Sequence, residues 1–508
     1  MPQRFAFTIV LLGALLTMVA PAVAVDRSLG ADVPKPQASG EPRTDAEIAA
    51  LNANLGIALA GSSALRGAHV GILAVDARDG RVLFQRNADE LFQPASTSKL
   101  IVGSAILDAL GPAYRFHTDA VMSGSTLIVR AGGDPFLKDA DFDGLATALA
   151  AKGVHALGQV AFDVSRYEGP NYPPGWSWDD FPYYYAPQIG ALSFEENVVH
   201  LTVTPGDAVD AKATVASAPI PLVGTPIEGC APGTEPIFVP QAKTAAAGAK
   251  STADVTRDGL GCTYVVGSVP IGGKPDTFDA AVPYPTVYAW KALQAALQRH
   301  GITTSFSQLS AANLHLAAAP ADAQVVWTHD SEPLADVLAD LFFPSDNLVA
   351  EMLLRELGVP RPPNPPGPGT TAGGLAAEKT WLKSINVDPD TVAMADGSGL
   401  SGYDRVTPSA LVAILAHDWN GPNRDVILDD LPIAGVRGTL KRSFLGTPAE
   451  RHVFAKTGGL SHVNTLAGYV ATAKHGTVIF AFQVDDWNGD GTALRELRAR
   501  VLSRFVTD

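Results

Sequence analysis

Three short groups of residues carry side chains that could do chemistry together. The first is Ser96-Thr97-Ser98-Lys99, a serine with a lysine three positions on. It opens a stretch of helical spacing from Ser96 to Leu110, stopped by Gly111-Pro112. An i,i+3 pair shares one helix face, so Lys99 can reach the Ser96 hydroxyl. A serine hydroxyl is a poor nucleophile until a base takes its proton. A lysine is such a base only when desolvation or a second cation lowers its pKa. The second group is Ser345-Asp346-Asn347, between Pro344 and a helical run ending at Leu357; alone it reads as an N-cap. The third is Lys456-Thr457-Gly458, which follows Val453-Phe454-Ala455 and so falls on a predicted strand. Each group is weak evidence alone. In this order they supply a nucleophile, a base, a proton relay and a cation for a substrate carboxylate, the parts of an acyl-transfer cleft.

The chain must be large enough to build that cleft from distant segments. Its 508 residues allow about three domains. A 46% hydrophobic and 18% charged composition is that of a globular protein. The 37 Lys+Arg against 52 Asp+Glu leave a net charge of −15, which argues against nucleic acid and anionic lipid as partners. Arg4, the apolar run Phe5 to Val19 and Ala22-Val23-Ala24 read as a secretory signal peptide over 1–24; an uncleaved anchor is the rival reading. The mature protein is then expected to be soluble outside the cytoplasm. Cys230 and Cys262 are the only cysteines and are expected to pair there, and two cysteines make neither a CxxC redox motif nor a zinc cluster.

Texture along the chain separates further pieces. Residues 25–44 are polar and Pro-rich and read as a mobile leader. Helical spacing follows over 45–60, then two predicted strands, His69 to Asp76 and Arg81 to Gln85, around Asp79-Gly80. Residues 119–165 read as a βαβ-type unit within a small α/β lobe. A Tyr-, Pro- and Trp-rich stretch, 166–196, is expected to pack over a domain junction. Residues 197–284 carry short β-type runs and both cysteines, as an all-β insert would. A helix is predicted over 287–299, and mainly helical texture from Val325, with helices at 332–343, 346–357 and 409–417. Pro360 to Gly369 reads as a surface loop. Thr477 to Val484 is a predicted strand apolar on both faces, and Leu494 to Phe505 an amphipathic helix. The histidines do not cluster at metal-ligand spacing. His452 and His462, Asp134, and the Asp485, Asp486 and Asp490 turn receive structural readings rather than catalytic ones.

The set SxxK, SDN and KTG is that of penicillin-binding proteins and related β-lactamases. The sequence resembles, from about residue 45 to 508, the penicillin-binding protein 4 type: class C, low-molecular-mass D-alanyl-D-alanine carboxypeptidases/endopeptidases. Gly132-Gly133-Asp134-Pro135, Tyr185-Ala186-Pro187, Ala191-Leu192-Ser193 with Asn197, Asp396-Gly397-Ser398-Gly399-Leu400-Ser401 and Gly438-Thr439-Leu440 look like further signatures in the family's order. The long gap between Ser96 and Ser345 fits the extra domains that this family inserts there.

The resemblance implies an α/β multidomain protein. A transpeptidase-like α+β domain with an antiparallel sheet (45–118 and 325–508) would be interrupted by an α/β domain (119–196 and 285–324) and the β-rich insert (197–284). It also implies roles. Ser96 attacks the carbonyl of the penultimate D-Ala, and Lys99 accepts its proton. Ser345, held by Asn347, relays a proton to the leaving amine. Lys456 supports Ser345, attracts the substrate carboxylate and helps depress the pKa of Lys99. The backbone N–H groups of Ser96 and Gly459 form the oxyanion hole. The implied partners are peptidoglycan stem peptides and, as covalent inhibitors, β-lactams; oligomeric state stays open. No cofactor or metal is implied. One departure is Gly459, where many relatives have a hydroxyl residue; Thr457 or Ser461 would have to compensate. Two other readings are a β-lactamase of the same fold and a wall-binding protein with a vestigial cleft. The class A deacylating Glu sits in an ExxLN-type segment. Glu351 to Arg355 has its Glu and Leu but lacks the Asn.

Overall fold

A computed structural model describes residues 28–224, 238–259, 262–305, 322–489 and 491–508. The expected signal peptide and Cys230 lie outside them. Among the described residues no helix is long and apolar enough to cross a membrane.

Both chain ends build one antiparallel five-stranded sheet, in the order Val453–Leu460, Val463–Ala471, Thr477–Asp485, His69–Asp76, Val82–Arg86. Side chains alternate across it. Val70, Ile72, Phe480 and Phe482 pack under the helices Asp45–Ala60 and Gly491–Thr507, beside Leu51, Leu55, Leu497 and Phe505. Leu73, Val75, Ile479 and Ala481 face the other way, onto Leu100, Ile106, Leu411 and Ile414 of the helices Lys99–Leu110 and Pro408–Asn420. A strand covered on both faces has no polar side, which explains the unbroken apolar run from Thr477.

A second sheet runs Gln324–Asp330, His117–Ser123, Thr126–Arg130, Gln159–Asp163, with only its last pair parallel. Its core includes residues of the helices Asp139–Ala151 and Pro285–Arg299. The strand Gln324–Asp330, which crosses the boundary expected at 325, thus pairs with His117–Ser123, which crosses the one expected after 118. Short sheets fill the stretch between Val198 and Ala281, chiefly Asp276–Ala281, Val198–Thr204, Thr214–Ala218 and Asp254–Arg257, Thr263–Val266, Phe238–Pro240. Cys262 is buried there with Val239.

The Pro-rich segment expected to be a mobile leader is laid against the first sheet and its helices over residues 28–44. Val33 is buried in their core. Lys35 pairs with Asp429 and Asp32 with Arg451. The carbonyls of Leu29, Pro36, Gln37 and Gly40 accept from Arg437, Arg424, Thr477 and Arg78. Extended proline-rich chain has few intrachain hydrogen bonds, so its carbonyls are open to such side-chain donors.

The aromatic stretch 166–196 lies over the junction between the two sheet systems. Trp176 is buried and its indole N–H donates to Asp396; the main chain at Tyr185 meets Asn347.

Candidate active site

The turn that presents Ser96 is tighter than the helix it opens. Ala95–Ser98 is a 3-10 turn and the α-helix runs Lys99–Leu110. With three residues per turn, positions i and i+3 eclipse, so Ser96 stands directly over Lys99. Lys99 Nζ lies 3.0 Å from Ser96 Oγ. Ser96 is half-buried, whereas Lys99 is wholly buried. A buried ammonium costs several kcal/mol unless it is paired. Lys99 is met by Asn347 Oδ1 at 2.6 Å and the Ser398 carbonyl at 2.8 Å. Asn347 donates onward to the Tyr185 carbonyl, 2.7 Å away.

Asp346 caps the helix Asn347–Leu357 by accepting from the Val349 N–H at 2.9 Å, so SDN is an N-cap as well as a site motif. Its neighbour Ser345 has a φ of 70°, which swings the hydroxyl out of the cap and toward Lys456. Lys456 Nζ is 2.8 Å from Ser345 Oγ and 2.7 Å from the Thr457 carbonyl. Lys456, also wholly buried, sits on the edge strand Val453–Leu460. Thr457 and Thr439 join their hydroxyls at 2.7 Å. That contact brings the Gly438-Thr439-Leu440 motif to the cleft.

Two adjacent glycines of this strand differ. A Cβ on Gly458 would lie 2.9 Å from Ser96 N, 2.8 Å from the Pro94 carbonyl and 2.1 Å from Thr465 Oγ1; the strand passes too close to the turn that carries Ser96 for any side chain. Gly459 is exposed, and a Cβ there meets only the Val463 carbonyl, at 3.9 Å. The departure at 459 therefore removes a side chain for which there is room.

Sequence reasoning missed the acids behind Lys99. Glu351 Oε1 accepts from the Gly397 and Ser398 N–H groups at 3.0 and 2.9 Å, aiming the Ser398 carbonyl at Lys99. Asp396 accepts from Gly399 N, Ser401 N, Ser398 Oγ and Trp176 Nε1, between 2.7 and 3.0 Å. Burial and the Asp396 charge, with a hydrogen bond to Asp396, push Asp404 up to about 10. Burial and the Asp396 charge also push Glu351 up to about 8. The only sequence signal was the Asp396–Ser401 motif, which carries no role by residue type alone. Glu351, weighed as a β-lactamase deacylation base, is spent on these amides.

Burial lowers Lys99 to about 8, opposed by Asp396, Asp346, Glu351 and Asp404. The expectation gave part of that lowering to Lys456; the structure gives the leading part to desolvation. Lys456 is driven well below its ordinary value by burial and then by the charge on Lys99. Two buried ammonium groups cannot share one small cleft cheaply.

The remaining candidates stand apart from the cleft. His452 meets the Ala471 carbonyl, His462 the Trp487 carbonyl, and Asp134 the Phe136 N–H and His329. Asp485 accepts from the Gln93 N–H, and Asp490 lies outside the described residues. Among the described residues no group of His, Cys, Asp and Glu is arranged to hold a metal ion.

The family model described as the D-Ala-D-Ala carboxypeptidase 3 (S13) family matches residues 51–504. A D-alanyl-D-alanine carboxypeptidase of Actinomadura sp. (strain R39) is 32% identical over 428 residues, covering 80% of this chain and 76% of its own. A D-alanyl-D-alanine carboxypeptidase of Haemophilus influenzae is 26% identical over 429 residues, covering 82% and 85%. Among solved structures, penicillin binding protein 4 from Haemophilus influenzae superposes with a TM-score of 0.73 at 23% identity, over 89% of this chain and 98% of that one. That last likeness is one of fold.

Proposed function

This chain belongs to the D-Ala-D-Ala carboxypeptidase 3 (S13) family, and from that premise we propose that its cleft hydrolyses the D-Ala-D-Ala end of peptidoglycan stem peptides, or D-Ala cross-links, through an acyl-enzyme on Ser96. The observation that carries the reading is Lys99 Nζ at 3.0 Å from Ser96 Oγ, in surroundings that lower the lysine to about 8. A base works best when its pKa lies near the working pH.

In the proposed mechanism Ser96 Oγ attacks the penultimate D-Ala carbonyl and gives its proton to Lys99. The backbone N–H groups of Ser96 and Gly459 receive the oxyanion. Ser345, bonded to Lys456, delivers a proton to the leaving amine as the C–N bond breaks. Water then hydrolyses the ester on Ser96. Thr457, beside Thr439 and half-exposed, is offered for the substrate carboxylate. A β-lactam enters by the same attack, since its strained amide presents the same carbonyl, and its acyl group stays on Ser96. A solved relative from Haemophilus influenzae is described as complexed with a β-lactam, which supports that reading.

The proposal extends to the cell. The residues before Val25 are read as a secretory signal peptide and the site of action as extracytoplasmic. A Cys230–Cys262 disulfide would suit such a compartment. The domain division is proposed as 45–118 with about 331–508, around an α/β lobe and the β-rich insert. The test is the intact mass of the protein after incubation with benzylpenicillin, followed by peptide mapping. A stable adduct on Ser96, absent in Ser96→Ala, is expected. No adduct with the drug intact would sink the reading, and no adduct with rapid loss of the drug would turn it into a β-lactamase.

A further inference from the structure

Three successive residues of the α/β lobe, Glu195, Glu196 and Asn197, have φ of 47°, 55° and 57°. None is glycine, so this left-handed turn is strained and persists only where its surroundings over-determine it. Two of the three are tied into their own lobe. Asn197 accepts from the Phe194 N–H at 3.2 Å and donates to the Gln188 carbonyl at 3.0 Å. The Glu195 carboxylate accepts from the Asp139 N–H at 3.4 Å. Glu196 instead reaches the catalytic lobe, where its carboxyl group is hydrogen-bonded to that of Asp346. Asp346 lies between Ser345, itself left-handed and bonded to Lys456, and Asn347, bonded to Lys99. Two strained backbone segments from different lobes therefore meet through one carboxyl–carboxyl contact, at the centre of the SDN loop.

We propose that Glu196 is a positioning residue: its carboxyl group clamps the 195–197 turn onto Asp346 and so holds Ser345 and Asn347 against their lysines. The inference rests on the acyl-enzyme reading above and deepens it. Two carboxyl groups can share a hydrogen bond only if one keeps its proton. Burial, Asp346 and Asp340 hold Glu196 well above the ordinary carboxylate range, with Lys138 opposing. Burial also raises Asp346, against the Val349 and Leu348 N–H groups, Lys99 and the bond from Glu196. Tyr184 faces Asp346 as well. Both carboxyls are thus raised, so the folded protein holds more protons here than the unfolded chain at pH values above the ordinary carboxylate range. The clamp's contribution to stability is complete at low pH and lost as pH rises through the raised values.

The test compares the full-length wild type with Glu196→Gln and Glu196→Ala. Acylation by benzylpenicillin and thermal melting are both followed from acid to alkaline pH, starting below the ordinary carboxylate range. Glu196→Ala is expected to slow acylation roughly 10- to 100-fold, as a misplaced relay does, with the adduct still on Ser96. Glu196→Gln, whose amide donates to Asp346 at every pH, is expected to recover most of that loss. Its melting temperature should also fall less steeply than that of wild type as pH rises, and its acylation rate divided by the wild-type rate should climb. Titration of Lys99, Lys456 or tyrosines is common to both proteins and cancels in the difference. Wild-type acylation by Glu196→Ala, or pH curves of Glu196→Gln that overlay the wild type over the whole range, would overturn the clamp. If Glu196→Ala does not fold, the Glu196→Gln curves decide. Wild type that is never acylated, with melting curves that still diverge, would remove the acyl-enzyme reading and leave the clamp standing.

Discussion

Lys99 and Lys456 are both fully buried and each touches a serine hydroxyl, but they are surrounded differently. Lys99 is backed by Asn347, the Ser398 carbonyl and the acids Asp396, Asp346, Glu351 and Asp404, all of which oppose its lowering. Among the described residues Lys456 is hydrogen-bonded to the Ser345 hydroxyl and the Thr457 carbonyl, and the charge it feels most is the repulsion of Lys99. Desolvation acts on both, and nearby acids rescue only one. In the free protein the proton is therefore held more firmly on Lys99. On the proposed mechanism, a substrate carboxylate supplies the partner that Lys456 lacks. The charge it draws onto Lys456 then opposes the charge on Lys99, and Lys99 becomes a base as substrate arrives. Residue type and burial are the same at both positions; the difference comes from what stands behind each side chain.

The comparison can be broken first at the serine it serves. Ser96→Ala is expected to lower turnover by about 10⁴-fold or more and to leave no β-lactam adduct by mass. An adduct of wild-type yield on that variant would mean that neither lysine serves this cleft. Next come the lysines themselves. Lys99→Met should slow acylation by about 100-fold or more for every substrate, because it removes the base. Lys456→Met should lose more against a peptide with a free C-terminal carboxylate than against its amide. Equal losses for the two peptides would erase the distinction drawn between the lysines.

A backbone change sharpens the geometry. Gly458→Ala drives a methyl into Ser96 N and Thr465 and should cost roughly 100-fold in acylation, since small displacements of reacting groups are expensive. A pH profile tests the electrostatics. Acylation should rise with pH through about 8, as Lys99 loses its proton. Asp396→Asn removes the charge that does most to retain that proton, so the limb should move to lower pH; a move upward, or none, would contradict the account of Lys99. The smallest effect is expected at Gly459→Ser. There is room for the side chain, and one added hydrogen bond to the substrate carboxylate should lower KM by about 2- to 10-fold.

Much of the fold was legible because periodicity is a local property. The strand His69–Asp76, the helix Pro408–Asn420 and the terminal helix Gly491–Thr507 follow from apolar spacing, and their predicted ends fall within a few residues. The segment 28–44 has the composition of a linker, and the groups it meets, Arg437, Arg424 and Asp429, are far away in the chain, so its contacts leave no local signal. The strand Gln324–Asp330 crosses the boundary expected at 325, and its partner, His117–Ser123, is invisible to local texture.

The site divides along the same line. The sequence by itself determined the candidate groups and their order, because Ser96 and Lys99 share a turn and each remaining motif is contiguous. It also determined that SDN would cap a helix, since capping depends on the next few residues. Only the tertiary structure decided that Asn347 would meet Lys99, that Lys456 would find Ser345, and that Glu351, Asp396 and Asp404 would gather behind one lysine and not the other. Those contacts join residues far apart in sequence around two buried lysines. A charge buried there takes its pKa from whatever lies within a few ångströms, whichever part of the chain supplied it.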